Sequence, residues 1–279
     1  CLQISKYCTV ENSIYGYKPS IGWNSFFLAV FLVSSLIHAF QGWKYKTWSF
    51  LVAMVIGGLS EAVGQGGRIM LHKNVYDDAG FKLQIVLLTL APAFLCAGIY
   101  LTLKHLVISF GASFSRLPPK WYTWIFISCD IFSIVLQGAG GGLASAADDN
   151  DTTLLNAGNN LMIAGLAWQV FTLVLFGALS AEYVYQIRRH VHELNPQTHD
   201  MRQSKRFKFF VGAVALAYIA ILMRCVYRVA EMAGGWGNEI MQDEAMMLGL
   251  DSFMIAIAMV ALNLFHPGLC FDFRRYGSN

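Results

Sequence analysis

The chain has 279 residues, of which 56% are hydrophobic and 13% are charged, and its formal net charge is +3. A typical soluble domain has about 25% charged residues, so this composition excludes an ordinary water-soluble globule and indicates an integral membrane protein. The small net charge predicts no nucleic-acid partner. The sequence also lacks the G-x-x-x-x-G-K-[ST] phosphate loop of many ATP-driven pumps.

Long apolar runs predict seven membrane-spanning helices in one domain that covers residues 1–279, because a span needs about 20 apolar residues. In chain order the predicted spans are residues 22–41, 48–71, 81–105, 121–143, 156–187, 207–232 and 245–266. Pro92 lies in the middle of the third run, where it removes a backbone hydrogen bond and predicts a kink. The predicted fold is therefore an all-α bundle of seven transmembrane helices.

The segments between the predicted helices alternate in charge. One set holds most of the lysines and arginines, including Arg188, Arg189 and Arg206. The other set holds few basic residues and several acidic ones, including Asp148 and Asp149. The positive-inside rule therefore predicts that the N-terminus lies outside and the C-terminus lies in the cytosol.

The predicted outer side carries two candidates for covalent modification. Cys1 and Cys8 fall in an oxidising compartment, where they either form a disulfide or remain a free pair. Asn150 begins an Asn-Asp-Thr sequon and is a glycosylation candidate, although its loop is short and close to the bilayer.

Ionisable side chains lie inside the predicted spans, where each costs about 2.5–3.5 kcal/mol at the centre of an isolated helix. Glu61 and Arg68 are seven residues apart and share one helical face, while Arg224, Arg228 and Glu231 follow the spacing i, i+4, i+7. Glutamines lie at similar depths. Together these polar residues form the candidate substrate-binding set: Glu61, Arg68, Gln84, Asp130, Gln137, Gln169, Arg224, Arg228, Glu231 and Asp251.

Two interpretations of this set remain open. The first is a structural network of ion pairs that holds the bundle together. The second is a polar cavity, open toward the outside or the outer leaflet, that receives a charged headgroup. Arginines suit a phosphate or carboxylate, and acidic side chains suit an amine. The acids outnumber the arginines, which permits one acid to be protonated. Gly138 and Gly142 form a small-xxx-small pair that favours close helix packing.

Other chemistries find little support. The last predicted span contains no lysine, which excludes a retinal protein, and the usual motifs of G-protein-coupled receptors are absent. His38, His105 and His266 are minor candidates for binding a metal or haem iron, but a helix C-terminus also favours histidine. No catalytic Ser-His-Asp order is visible, so neither an enzyme nor a required cofactor is predicted.

An ordered series of short motifs runs along nearly the whole chain. It consists of Tyr17-Lys18-Pro19-Ser20 with Asn24; Glu61, Gly64 and Arg68; Gln84 before Leu90-Ala91-Pro92-Ala93 and Tyr100; Asp130, Ser133 and Gln137-Gly138; Gly165-Leu166 and Gln169; Arg224, Tyr227-Arg228 and Glu231; Glu244 and Asp251; and His266-Pro267-Gly268. In this series the chain resembles the fungal RTA-like proteins, the lipid-translocating exporter family named for aminocholesterol resistance.

The resemblance implies seven helices, a fungal membrane location, and roles in sphingoid long-chain base release, in resistance to sterol analogues or drugs, and in one branch in porphyrin uptake. We therefore expect binding and translocation of an amphiphile, a sphingoid base or a related lipid or sterol-like compound, at the plasma membrane. Membrane lipids are the expected partners, and the oligomeric state stays open. The alternatives are a lipid-sensing receptor without transport and a protein that binds or imports haem or porphyrin.

Overall fold

The computed structural model describes residues 7–111, 115–147, 152–190 and 203–270. It contains α1 (Ile21–Tyr45), α2 (Trp48–Lys73), α3 (Asp78–Phe110), α4 (Pro119–Ala146), α5 (Thr152–Arg189) and α6 (Lys205–Ala233). The seventh helix, α7, consists of Glu244–Met247, a π-helical turn at Leu248–Ser252 and Phe253–Leu264, and a short α8 (Pro267–Cys270) follows. Seven helices in these ranges are long and apolar enough to cross a membrane, which confirms the predicted all-α fold.

Most helices extend a few residues beyond the predicted apolar runs, and two of them begin at a side-chain cap. Asp77 accepts a hydrogen bond from the backbone N–H of Gly80 at the start of α3. Asp243 accepts two from the first turn of α7, at Ala245 and Met246. These side chains satisfy N–H groups that have no partner within a helix. Lys46 ends α1 in the left-handed conformation, with φ 58°.

The helices pack in chain order, from α1 against α2 through α4 against α5, and then α6 against α7. Contacts of α6 with α3 and α5, and of α7 with α1, close the bundle. Its centre is a large apolar cluster that includes Phe31, Met54, Leu95 and Phe126. Many large apolar side chains lie exposed on the outer faces, Trp124 among them. That surface suits lipid, since soluble monomers rarely expose large apolar patches.

One end of the bundle is covered by residues 7–20, and we call it the capped end. Tyr76, in the α2–α3 connection, donates a hydrogen bond to the Thr9 carbonyl at 2.7 Å. The ring Nδ1 of His72 lies 2.7 Å from the Pro19 carbonyl. The backbone N–H of Ser20 donates to the Glu244 carboxylate at 2.6 Å. The sequence prediction of orientation corresponds to a capped end that faces outward, and this orientation stays a prediction.

The outer-side modification candidates fall largely beyond the described ranges. Cys8 is disulfide-bonded, but Cys1 lies outside the described residues, so their pairing with each other stays a prediction. Asn150 also lies outside the described residues. Cys96, Cys129 and Cys225 are free thiols within the helices.

The closest approach of α4 and α5 is at Gly140 and Gly158. A Cβ atom on Gly140 would lie 2.6 Å from the Gly158 carbonyl oxygen, and one on Gly158 would lie 2.6 Å from the backbone nitrogen of Ala144. Gly138 and Gly142 have no other atom within 4 Å of an added Cβ. The prediction that Gly138 and Gly142 mediate close packing is therefore wrong, because Gly140 is on the face that meets α5.

We expect Gly140→Ala to destabilise the protein and Gly142→Ala to leave stability unchanged or slightly raised. Both changes gain helix propensity, worth up to about 1 kcal/mol. Only the first places a methyl group against the backbone of α5, which costs about 1–3 kcal/mol by overpacking. Thermal unfolding of the detergent-solubilised variants measures the difference, and equal melting temperatures would contradict the packing described here.

Candidate functional site

Arg224 on α6 forms the deepest part of the polar network. Its Nε atom lies 2.8 Å from a carboxylate oxygen of Asp251 on α7, and its Nη2 atom lies 3.7 Å from Glu61 on α2. Nη2 also donates a hydrogen bond to the backbone carbonyl of Leu88 on α3. All three charged side chains are buried. One guanidinium therefore holds four helices together through two carboxylates and a carbonyl.

Irregular backbone supplies two of these acceptors. Pro92 lies inside α3 and has no N–H, so it cannot bond to the carbonyl four residues earlier, which is that of Leu88. That carbonyl accepts from Arg224 instead. Asp251 lies in the π-helical turn of α7, and such turns occur often at functional sites. Gln65 on α2 donates to Ser252 in the same turn at 2.9 Å, which ties the turn to α2.

Arg68 on α2 forms a second cluster beneath the capped end. Its guanidinium donates to the side-chain oxygen of Asn24 at 2.9 Å, to the Tyr17 hydroxyl at 3.0 Å and to the Gln84 amide oxygen at 3.5 Å. The nearest carboxylate oxygen, on partly exposed Glu244, lies 3.9 Å away. Neutral groups thus satisfy most of the donors of this buried cation.

The N-terminal segment closes the site from above. Tyr15 is buried, its hydroxyl accepts a hydrogen bond from the Gln84 amide, and its ring lies 5.8 Å from the Arg68 guanidinium carbon. Burial raises the pKa of Tyr15 well above its ordinary value, and the pKa of Tyr17 is raised for the same reason. Both phenols therefore remain neutral hydrogen-bonding groups across the physiological pH range.

Arg228 lies between the two clusters and pairs with Glu231 on the same helix. A cavity of about 10 Å³ separates this pair from Arg68, enough for roughly one water molecule. The cavity is lined by Tyr15, Arg68, Gln84, Ile85, Leu88, Arg228, Glu231 and Met247. In this conformation the site is closed, since its charges pair with each other and there is no room for a headgroup.

The polar residues of α4 and α5 form a separate group. Ser133 donates to the Gly165 carbonyl at 2.6 Å, and the Gln137 amide donates to Ser133 at 2.6 Å and to Gln169 at 3.4 Å. Gln137 and Gln169 therefore connect two helices rather than reaching the arginines. Asp130, on the same face of α4, forms no ion pair within the described residues.

The three candidate histidines, His38, His105 and His266, lie toward the other end of the bundle. The buried rings of His38 and His266 have centroids 6.1 Å apart, and His38 Nε2 lies 3.3 Å from the Met259 carbonyl. His105 lines a cavity of about 220 Å³ together with Phe50. Across the described ranges, His, Cys, Asp and Glu form no group of three or more that is suited to a metal ion.

The sequence did not predict four residues that lie around Arg68, namely Tyr15, Tyr17, Asn24 and Glu244. Tyr17, Asn24 and Glu244 belong to the motifs that carry the family resemblance, and this was the available signal. Tyr15 had none. Tyr15, Tyr17 and Glu244 lie outside the predicted spans and Asn24 is uncharged, so a search based on the cost of burying a charge does not find them.

Comparison with known proteins identifies the family of the chain. A family model described as RTA1 like protein matches residues 54–274. The sphingoid long-chain base transporter RSB1 of Saccharomyces cerevisiae is 34% identical over 95% of this chain and 76% of its own length. Protoporphyrin uptake protein 1 of the same yeast is 28% identical over 75% of this chain and 65% of its own, and Protein RTM1 is 25% identical over 90% of both. No solved structure matches. The chain belongs to the RTA1-like protein family.

Proposed function

We propose that this multi-pass membrane protein binds and translocates a sphingoid long-chain base or a closely related amphiphile across the plasma membrane. The observation that carries the proposal is the buried charge balance of the site. Three arginines, Arg68, Arg224 and Arg228, are buried with four carboxyl groups, those of Glu61, Asp130, Glu231 and Asp251. An ammonium headgroup would compensate the surplus acid, and the relative named as a sphingoid base transporter handles such amines.

The surface near the site supports the same ligand class. An open depression of about 680 Å³ at the capped end is lined by Trp23, Glu239, Gln242, Asp243, Glu244, Ala245 and Leu248. Three carboxylates and no basic side chain line it, which attracts cations from solution. Trp23 and Leu248 offer apolar surface for a hydrocarbon chain. Glu244 connects the depression to Arg68.

Binding requires a second conformation, because the present cavity holds about one water molecule. We propose that residues 7–20 move away from Arg68 and that the headgroup then takes over part of the existing ion pairs. The hydrocarbon chain would lie between helices toward the lipid. No cofactor enters this scheme. The Glu231 carboxylate and the Gln84 amide oxygen would accept from the ammonium group first, since both line the small cavity. Arg228 and Arg68 would release them.

We expect Arg228→Ala to reduce transport of labelled long-chain base in proteoliposomes by at least about tenfold, because the buried Glu231 carboxylate loses the charge-assisted hydrogen bond that positions it for the ammonium group. Arg206→Ala is the matched control, because Arg206 is exposed at the start of α6. Equal and small losses in both variants would contradict a ligand site and leave a structural network. If the wild-type protein binds the long-chain base but does not transport it, the protein would be a lipid sensor.

The ligand charge provides an independent test. N-acetylation of the long-chain base removes the ammonium charge and keeps the chain, so we expect affinity to fall by about tenfold or more. Glu61→Gln should reduce this discrimination, whereas Glu182→Gln should not, since Glu182 pairs with Arg116 away from the site. Titration of detergent-solubilised protein measures both affinities. Equal affinity for the two ligands would refute ammonium recognition, and tighter binding of a porphyrin would favour the alternative function.

A further inference from the structure

Asp130 stands apart from the other buried acids. It is 3% exposed, and within residues 7–111, 115–147, 152–190 and 203–270 it has no ion-pair partner. The three buried arginines point elsewhere. Arg224 pairs with Asp251 and Glu61, Arg228 pairs with Glu231, and Arg68 bonds to neutral groups near the capped end.

The surroundings of Asp130 are neutral. On α3 the Tyr100 hydroxyl and the Cys96 thiol interact with its carboxyl group, and so do the thiols of Cys225 on α6 and Cys129 on α4. The face of α4 that carries Asp130 meets uncharged groups on α5, such as the Gly165 carbonyl at Ser133. Arg224 interacts with both Cys96 and Cys225 but forms no ion pair with Asp130.

An ionised carboxylate in such surroundings is strongly unfavourable, because no cation within the described residues pairs with it. A protonated carboxyl group removes the charge and shares hydrogen bonding with a neighbouring hydroxyl. With Asp130 neutral, three carboxylates face three arginines and the buried set has no net charge. The closed conformation is then electrically balanced.

We propose that Asp130 is a proton-binding site, protonated in the closed state, and that it releases its proton when an ammonium headgroup enters the site. The second half of this proposal rests on the proposed function. The ammonium group pairs with Glu61 and Asp251, and the freed Arg224 guanidinium then stabilises ionised Asp130 across Cys96 and Cys225. The O–H bond of Asp130 breaks and the proton passes to water. The positive charge of the ammonium group thus replaces that of the released proton.

This exchange makes the protein an antiporter that exchanges one protonated amine for one proton. The buried charge stays constant in both states, so neither state leaves an unpaired charge in the bilayer. Arg224 is the moving element, because it is the arginine that interacts with the two thiols beside Asp130 as well as with the carboxylates. A proton gradient would then drive accumulation of the base on the opposite side.

The protonated carboxyl group is tested without any ligand. Infrared spectroscopy of the purified full chain at neutral pH should show a carboxylic acid C=O band that Asp130→Asn removes and Glu182→Gln retains. If Asp130→Asn does not fold, Tyr100→Phe keeps the acid and removes its neighbouring hydroxyl, so the band should shift. A spectrum identical in wild type, Asp130→Asn and Tyr100→Phe would overturn the proton site.

The exchange is tested by proton release in weakly buffered detergent solution at about pH 6.5, where the ligand amine is fully protonated, as a lysine amine is. Saturating long-chain base should release about one proton per bound molecule from wild type and Glu182→Gln, and none from Asp130→Asn. Binding without release would overturn the exchange. Absence of binding in wild type, with the infrared band present, would contradict the proposed function and still support the proton site.

Discussion

The Arg224 guanidinium is the contact on which the polar interior depends. It connects α6 to α2 through Glu61, to α7 through Asp251 and to α3 through the Leu88 carbonyl. A buried arginine is tolerated in a membrane helix only with such partners, and removing one partner of a buried pair costs about 3–5 kcal/mol. The relative positions of four helices are therefore tied to one cation, and any ligand that replaces this cation loosens all four.

Two breaks in helical regularity make this contact possible. A regular α3 would use the Leu88 carbonyl internally, and Pro92 prevents this. A regular α7 would place Asp251 at a different angle, because a π-helical turn inserts extra chain into the helix. Both irregularities weaken their own helix, and the contacts of Arg224 with Leu88 and Asp251 compensate for this loss. The geometry of the site therefore depends on the backbone and the side chains together.

The sequence predicted the helices well because a membrane span is a local property of about 20 apolar residues. It also identified Glu61, Arg224 and Asp251, since the cost of burying a charge is local too. The pairing of these residues was not predictable in the same way. It depends on how each helix is rotated about its axis and on which helices are neighbours, and a single sequence does not contain that information.

Because a single sequence does not show which helices are neighbours, the predicted site included residues that lie elsewhere and missed others that belong to it. Gln137 and Gln169 satisfied the criterion of polar groups in a span, yet they bond to each other between α4 and α5. Tyr15 satisfied no criterion, yet it covers Arg68. Burial cost finds residues that need a partner but does not identify the partner. The sequence predicted a kink at Pro92. It did not predict that the freed Leu88 carbonyl accepts a hydrogen bond from Arg224, because that bond depends on where α6 packs.

The strengths of the contacts set an order of opening. Arg68 is held beneath the N-terminal segment chiefly by neutral groups, Asn24 and Tyr17 among them. Hydrogen bonds from a charged donor to a neutral acceptor contribute about 1.5–3 kcal/mol each, less than the cost of about 3–5 kcal/mol for breaking a buried ion pair. We therefore expect the capped end to open before the pairs of Arg224 do. We expect a headgroup that enters there to reach the neighbours of Arg68 first. It would reach the carboxylates of Arg224 only after it has replaced the hydrogen bonds that Arg68 made with Asn24 and Tyr17.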